Sequence, residues 1–433
     1  MFVFFKSGRS AMERTYLCID LKSFFASVEC VERGLDPMKA RLVVADPERG
    51  EGTICLAVSP ALKALGVKNR CRVFEIPKGM DYIKAQPRMR KYIDYAAEIY
   101  GVYIRFISPE DIHVYSIDEA FLDVTGYLDK YGRDGYGMAV MLMGEVLGRV
   151  GIRAACGIGT NLYLCKTALD ITAKKSPDFI GSLDEESYKR QLWTHTPLTD
   201  FWRVGAGTAR RLSRHGIFDM RGVAHADEGL LFRTFGKDAE LLIDHAWGRE
   251  TATIADIKAY RPKSRCLSST QVLMKDYTFE EAATIVREMA EAMCLDMTKK
   301  GVKSPLFVLY VGYTHDAGIP GANASVRLPE PSSSVRTVAP RINELYFQNA
   351  DREHKIRRIG ITACDIEEDG AAGQLSLFDG ADEMRDVLLG ETMLAIRKRF
   401  GSNSVFRAAD LREEATALER NMQIGGHKSG ILK

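Results

Sequence analysis

The alternation of apolar and polar positions divides the chain into two stretches of mixed elements with a helical stretch between them. Residues 15–21 (TYLCIDL) are an apolar run ending in an acid, Asp20, and predict a short buried strand. The following SFFASVECVER has apolar residues at 24, 25, 28 and 31, which is helical spacing. Positions 39–75 break into short apolar pieces between turn residues (RLVVAD, TICLAVS, PALKALGV), and 81–106 predict an amphipathic helix rich in Tyr. The run 112–124 (IHVYSIDEAFLDV) predicts two strands meeting near Asp118. A helix at 136–150 follows, then a strand, RAACGI, that leads into a second helix. This β-α-β-β-α-β order predicts an α+β sheet with helices on one face. Residues 183–250 predict helices only, with short connections holding Gly205, Gly207, Gly216 and Gly236; residues 251–265 lack periodicity and predict a basic linker. From 266 a second α+β pattern predicts strand 266–274, helix 279–300, strands 304–313 and 323–328, helix 335–347 and strand 356–366. An acidic stretch from 367 and a helix at 382–400 close the pattern.

The length of 433 residues corresponds to about three domains at roughly 150 residues each. With 60 Lys+Arg against 58 Asp+Glu, the whole-chain charge says nothing about partners, although residues 255–360 hold 16 basic and 12 acidic side chains. The best apolar stretch, Met138 to Val150, is broken by Glu145 and Arg149 and falls short of the ~18 residues of a membrane span. The opening MFVFF meets Lys6 and Arg9 too soon for a signal-peptide core, so a soluble cytoplasmic protein with no membrane partner is expected. The 9 cysteines include no C-x-x-C pair, and several lie in apolar runs, which predicts reduced buried thiols rather than disulfides or zinc.

Three carboxylates fall at strand ends: Asp20, and the adjacent Asp118 and Glu119 at a tight bend. Neighbouring acids in a regular strand point to opposite faces, but a bend lets both reach one point. Converging acids repel unless a cation neutralises them, and oxygen ligands without Cys or His suit Mg²⁺ or Mn²⁺. Asp20 also stands where a cap for the following helix would, so spacing alone leaves both roles open.

The runs D20-L-K-S-F-F-A-S-V-E29 and Y115-S-I-D-E-A-F-L-D-V124 together resemble the two catalytic motifs of the Y-family DNA polymerases, in the right order and about 100 residues apart. The resemblance extends over roughly residues 15–410 and is closest to the UmuC-like, Gram-positive branch. It implies an α+β multidomain, right-handed polymerase. A ferredoxin-like palm would span 1–33 and 81–170, small fingers 34–80, and a helical thumb with a helix-hairpin-helix 171–250. A linker at 251–265 would precede an α+β little finger at 266–366 and a tail at 367–433. It implies that Asp20, Asp118, Glu119 and the backbone carbonyl of Leu21 hold two Mg²⁺ ions about 4 Å apart. The sequence departs from the first motif at Lys22, where many relatives carry a second acid.

The same resemblance puts Phe25 at a steric gate against the 2′-hydroxyl and gives the backbone of Ser23, Phe24 and Phe25 to the triphosphate of the incoming dNTP. Lys166, in GIGTNLYLCK, falls on a triphosphate-binding lysine. In the fingers, Pro60 and Lys63 replace the Tyr and Arg that relatives often show, so Lys63 offers a point charge without the arginine fork. The segment F201-W-R-V-G-A-G-T-A-R-R resembles a helix-hairpin-helix in which Gly205 and Gly207 admit a phosphate of primer–template DNA, with Arg203, Arg210 and Arg211 around it. Gln374, Leu375, Leu377 and Phe378, within Q-L-S-L-F, resemble the peptide by which bacterial polymerases bind the sliding clamp. An accessory subunit or recombinase filament is a further possible partner. The implied activity is low-fidelity, template-directed addition of dNTPs past damaged bases. The other classes weighed are a non-catalytic DNA-binding repair accessory and another two-metal enzyme, a cyclase or nuclease.

Overall fold

The computed structural model describes residues 14–262, 264–368 and 380–430. The chain forms two compact units, one ending at Tyr260 and one beginning at Arg261.

At the centre of the first unit, the strand Tyr16–Leu21 lies between Glu119–Asp123 and Ala154–Gly159, antiparallel to both. Ile112–Val114 extends the sheet on one side and Ile180–Leu183 on the other, the latter in parallel. The first four strands in chain order lie as second, third, first and fourth, the arrangement of a ferredoxin-like fold. The fifth strand, Ile180–Leu183, falls within the 171–250 range expected to be thumb; four residues are too few for a periodic signal.

Both faces of the sheet are covered, not one. Leu17, Ile19 and Leu21 pack against the helices Phe24–Val31, Met89–Tyr103 and Gly135–Val150. Tyr16 and Cys18 face the other way, onto Leu162, Cys165, Leu169 and Ile254. The reason lies in YLCIDL, which is apolar at successive positions and so needs cover on both sides. Ile254 belongs to the helix Ile254–Ala259, capped by Thr253, within the stretch expected to be linker. Its apolar anchor is one buried residue, which leaves no helical period to read.

Leu42–Val44, Ala57–Val58 and Ile83–Ala85 form a small separate sheet, which encloses Val43, Val58, Leu62, Val67 and Val73 with the helix Pro60–Ala64. The strand Ile83–Ala85 precedes Pro87, so the Tyr-rich helix begins only at Met89. Five helices between Glu185 and Ala246 enclose a third core around Leu212, Met220 and Leu231; Asp184, Asp219 and Asp227 cap three of them through side-chain acceptance of backbone N–H groups.

The second unit is an antiparallel sheet in the order Ala322–Ser332, Val302–Tyr313, Ile356–Cys364, Leu267–Tyr277. The helices Phe279–Lys300 and Val335–Asn349 cover one face. A capping box of Thr278 and Glu281 starts the first helix, and Gly301, in the left-handed conformation at φ 62, ends it. The helix Gly380–Phe400 packs on Phe279–Lys300, and the Thr416 N–H donates to Glu288 at 3.0 Å, so the described part of the tail belongs to this unit. All nine cysteines are free, seven of them buried, as expected. Among the described residues no helix is long and apolar enough to cross a membrane.

Candidate active site

Strand register assembles the acids. Asp20 lies opposite Glu119, and the Leu21 N–H donates to the Asp118 carbonyl at 3.0 Å, which fastens the bend to the end of the central strand. Ser116 Oγ donates to Asp118 Oδ1 at 2.7 Å and steadies the bend from within. Asp20, Asp118 and Glu119 thus lie at adjoining strand ends, with the Leu21 backbone beside them. Burial raises the Asp20 carboxyl to about 7, and the charges of Asp118 and Glu119 add to that rise.

Lys166, which the resemblance assigns to the triphosphate, lies against this acidity. Its Nζ lies 2.9 Å from Glu119 and 3.1 Å from Asp170, with only 9% of its side chain exposed. Cys18 Sγ donates to the same Glu119 at 3.0 Å. Burial works against the Lys166 ammonium, but Cys18, Asp170 and Glu119 outweigh it and hold the group above its ordinary range. The close approach depends on glycine: a Cβ at Gly157 would overlap the Cys165 carbonyl and the Leu169 backbone, and one at Gly159 would overlap the Cys165 amide. Among the described residues no three acidic, His or Cys side chains close around one point as an ion would require. Glu119 is occupied by Lys166 instead. The donor chemistry nevertheless suits a hard divalent cation, since Asp118 and Glu119 repel the Asp20 carboxylate where burial already disfavours its charge.

Ser23 is left-handed at φ 48 and precedes the helix Phe24–Val31; its Oγ accepts from Lys63 Nζ at 2.9 Å. Lys63 therefore reaches the first motif across 40 residues of sequence. The Phe24 ring is buried in the core, so only its backbone is open to a ligand, whereas Phe25 is half-buried and stacks on Tyr92 at 4.5 Å between ring centres. Sequence reasoning missed Tyr92. Its hydroxyl donates to Glu29 at 2.8 Å, and Arg88 grips the same carboxylate with two bonds of 2.9 Å. Burial alone would raise Glu29, but Arg88, Arg33 and Tyr92 hold it below the usual range. The signal was the acid closing the first motif, a charge inside an apolar helix that had to find partners.

At the helical hairpin, Gly205 precedes the helix Ala206–Ser213, and a Cβ at Gly205 or Gly207 would meet nothing within 4 Å. Gly205 has φ −85, so its own conformation does not call for glycine either. Arg203, Arg210 and Arg211 are exposed around this turn; Arg203 lies over Trp202, and Arg211 lies over Phe235 and donates to the Thr234 carbonyl at 3.1 Å. The Gln374, Leu375, Leu377 and Phe378 peptide lies outside the described residues.

A pH dependence follows from Asp20. Its folded pKa of about 7 exceeds the ordinary 3.8, so the folded chain binds the proton more tightly than the unfolded one and loses stability as pH rises through that window. In divalent-free buffer Asp20→Asn should therefore melt above the parent near pH ~8 and by a smaller margin near pH ~5. Thermal unfolding at both pH values checks this; a variant that melts lower at the higher pH removes the electrostatic account.

Residues 19–170 match the impB/mucB/samB family and residues 264–377 match its C-terminal domain. A Bacillus subtilis protein named for UV-damage repair, UvrX, is 32% identical over 96% of this chain and 98% of its own length. DNA polymerase IV 2 of the same organism is 30% identical over 96% of this chain and 99% of its own. DNA polymerase IV 2 of Halalkalibacterium halodurans is 28% identical over 96% and 100%. In fold, the chain is similar to a solved Y-family DNA polymerase chimera, Dbh-Dpo4(243-245)-Dbh, with a TM-score of 0.63 at 20% identity over 81% of this chain and 99% of that one. With both family regions matched and relatives aligned end to end, the chain belongs to the impB/mucB/samB family.

Proposed function

We propose that this protein is a template-directed DNA polymerase that adds dNTPs to a primer, with low fidelity and past damaged template bases. The observation that carries this reading is the register that sets Asp20 opposite Glu119 and bonds Leu21 to Asp118, with Phe25 in the helix that follows the same strand. In this reading the sheet around Tyr16–Leu21 is the palm (1–33 and 81–170), residues 34–80 are the fingers and 171–250 the thumb. Residues 251–265 connect to a little finger at 266–366, and 367–433 form the tail.

Two Mg²⁺ ions held by Asp20, Asp118, Glu119 and the Leu21 carbonyl would supply charge neutralisation at the attacking and leaving oxygens. The chain's own groups do the rest. Glu119, paired with Lys166 in the free chain, would be one of the ligands, and Asp170 holds Lys166 from its other side. Ser23, the Phe24 backbone and Lys63 face the same phosphates. Tyr92 backs the Phe25 ring, so the ring is held rigid where the sugar edge would meet it. Gly205 and Gly207, open on their outer side, admit a duplex phosphate, and Arg203, Arg210 and Arg211 surround it without reading sequence. The fingers hold two short strands, Leu42–Val44 and Ala57–Val58, and the helix Pro60–Ala64, a small element with which to test a nascent base pair. Differences of about 1–3 kcal/mol in pocket contacts give only 10- to 200-fold selectivity, which is the basis for expecting low fidelity. The likeness of Gln374, Leu375, Leu377 and Phe378 to a clamp-binding peptide supports a bacterial sliding clamp as partner.

Replacing Asp118 and Glu119 together by Ala should abolish incorporation in a primer-extension assay while primer–template binding persists. Substantial Mg²⁺-dependent extension by the double variant would remove the acids from the mechanism. Phe25→Leu should raise ribonucleotide incorporation relative to deoxyribonucleotide incorporation; discrimination equal to the parent would make Phe25 a core residue only. Changing Gln374, Leu377 and Phe378 to Ala should leave clamp-free extension intact and eliminate clamp-stimulated extension, and clamp affinity like that of the parent would assign the peptide a structural role.

A further inference from the structure

The helical hairpin and the acid bend are joined by a pair of aromatic side chains whose bond no motif explains. Trp202 immediately precedes Arg203 at the hairpin, and Tyr115 immediately precedes the bend at Ser116–Asp118. The Trp202 Nε1–H donates to the Tyr115 hydroxyl at 3.1 Å, across 87 residues of sequence. The two rings meet edge to face at 6.0 Å between centres. Both lie against Phe121, at 5.6 Å from Tyr115 and 5.8 Å from Trp202. Tyr115 nevertheless keeps 45% of its surface exposed. Water satisfies an exposed hydroxyl and its indole donor when they part, so their bond adds little to the stability of the fold. At the bend, the Tyr115 and Ser116 N–H groups both donate to the Glu119 carbonyl, at 2.9 and 3.1 Å. Tyr115 therefore fastens one arm of the bend to the acid on the other. Its ring also lies 5.9 Å from the Lys166 ammonium, the partner of Glu119. At the hairpin, the Arg203 guanidinium lies 4.9 Å from the centre of the Trp202 ring. Arg203 is left-handed at φ 66, a conformation that costs energy in a residue with a Cβ and persists only where its surroundings impose it.

We propose that Trp202 and Tyr115 are positioning residues that pass the engagement of duplex DNA at the hairpin to the acids of the bend. What the two ends bind rests on the polymerase reading above; the tie between them does not. Arg203, Trp202, Tyr115 and Glu119 form an unbroken series of contacts within the first unit. A phosphate that orders Arg203 orders the Trp202 ring beneath it. The indole N–H then fixes the Tyr115 side chain, and the Tyr115 backbone sets where Glu119 lies. Duplex binding thus bears the cost of ordering the bend, and the acids are aligned before the nucleotide arrives. Without the duplex, the water-exposed bond lets the two modules part at little cost.

The test uses the full chain with saturating primer–template DNA and two readouts: single-nucleotide extension, and hydrogen exchange of the backbone amides from 115 to 120. Tyr115→Phe and Trp202→Phe each remove the bond and keep a ring. Each should lower kcat about tenfold, while the dNTP KM and primer–template affinity stay within about twofold of the parent. The double variant should be no slower than either single one, because the two side chains act through one bond. In the parent, primer–template should slow exchange across the bend by about tenfold, and both variants should lose that slowing although DNA is bound. A kcat within about twofold of the parent in either single variant would overturn the tie. So would a double variant slowed about a hundredfold, the product of two independent losses. Slowing of exchange that persists in both variants would overturn it as well. A parent that binds primer–template yet extends no primer would sink the polymerase reading, and the exchange measurement would then decide the tie alone.

Discussion

The central strand Tyr16–Leu21 must be buried on both faces and still end in a carboxylate. Its neighbours Leu17, Ile19 and Leu21 face one core and Tyr16 and Cys18 another, so Asp20 has apolar protein behind it. The only relief lies past the strand end, and there the register adds two more acids rather than a partner. The site therefore stores unfavourable electrostatics, visible in the raised pKa of Asp20, about 7. Such a site is costly for stability and suited to a ligand that brings positive charge, the usual trade between a stable fold and an active one.

Lys166 keeps that arrangement tolerable in the free chain. A buried ammonium bonded to Glu119 and Asp170 neutralises part of the acid cluster, and removing one partner of a buried pair would leave the other uncompensated. The lysine reaches this depth because Gly157 and Gly159 let its helix lie directly on the sheet backbone. Three features that look unrelated in sequence, two glycines, a lysine and an acid 47 residues before it, thus form one device.

Much of this was legible in the sequence, for reasons that differ by residue. The strand ending in Asp20 and the bend at Asp118–Glu119 were readable because an acid closing an apolar run is rare and conspicuous. The helices Phe279–Lys300 and Gly135–Val150 were readable because they are long and periodic. The strands Ile83–Ala85 and Ile180–Leu183 and the helix Ile254–Ala259 were not, because three to six residues carry no period and are held by tertiary contact. The support of Phe25 by Tyr92 was hidden for another reason: it joins helices 63 residues apart through Glu29, and no local pattern encodes which distant tyrosine will meet a buried acid.

The balanced total charge conceals a sharp local segregation. Lysines lie near the turn at Lys22, where, in the proposed polymerase reading, a mobile point charge would follow phosphates as they shift. Arginines dominate the hairpin instead, with five from Arg203 to Arg221 against a single acid, Asp219, which is spent on capping a helix. There Trp202 and Phe235 hold Arg203 and Arg211 by ring stacking, leaving their forks directed rather than free. The difference suits the two tasks of the proposed function. A duplex backbone is a fixed lattice of phosphates that rewards rigid, pre-aimed donors, whereas a triphosphate must be admitted, aligned and, as pyrophosphate, released at every addition. Point charges that repel one another when the anion leaves are suited to the second task and poorly suited to the first.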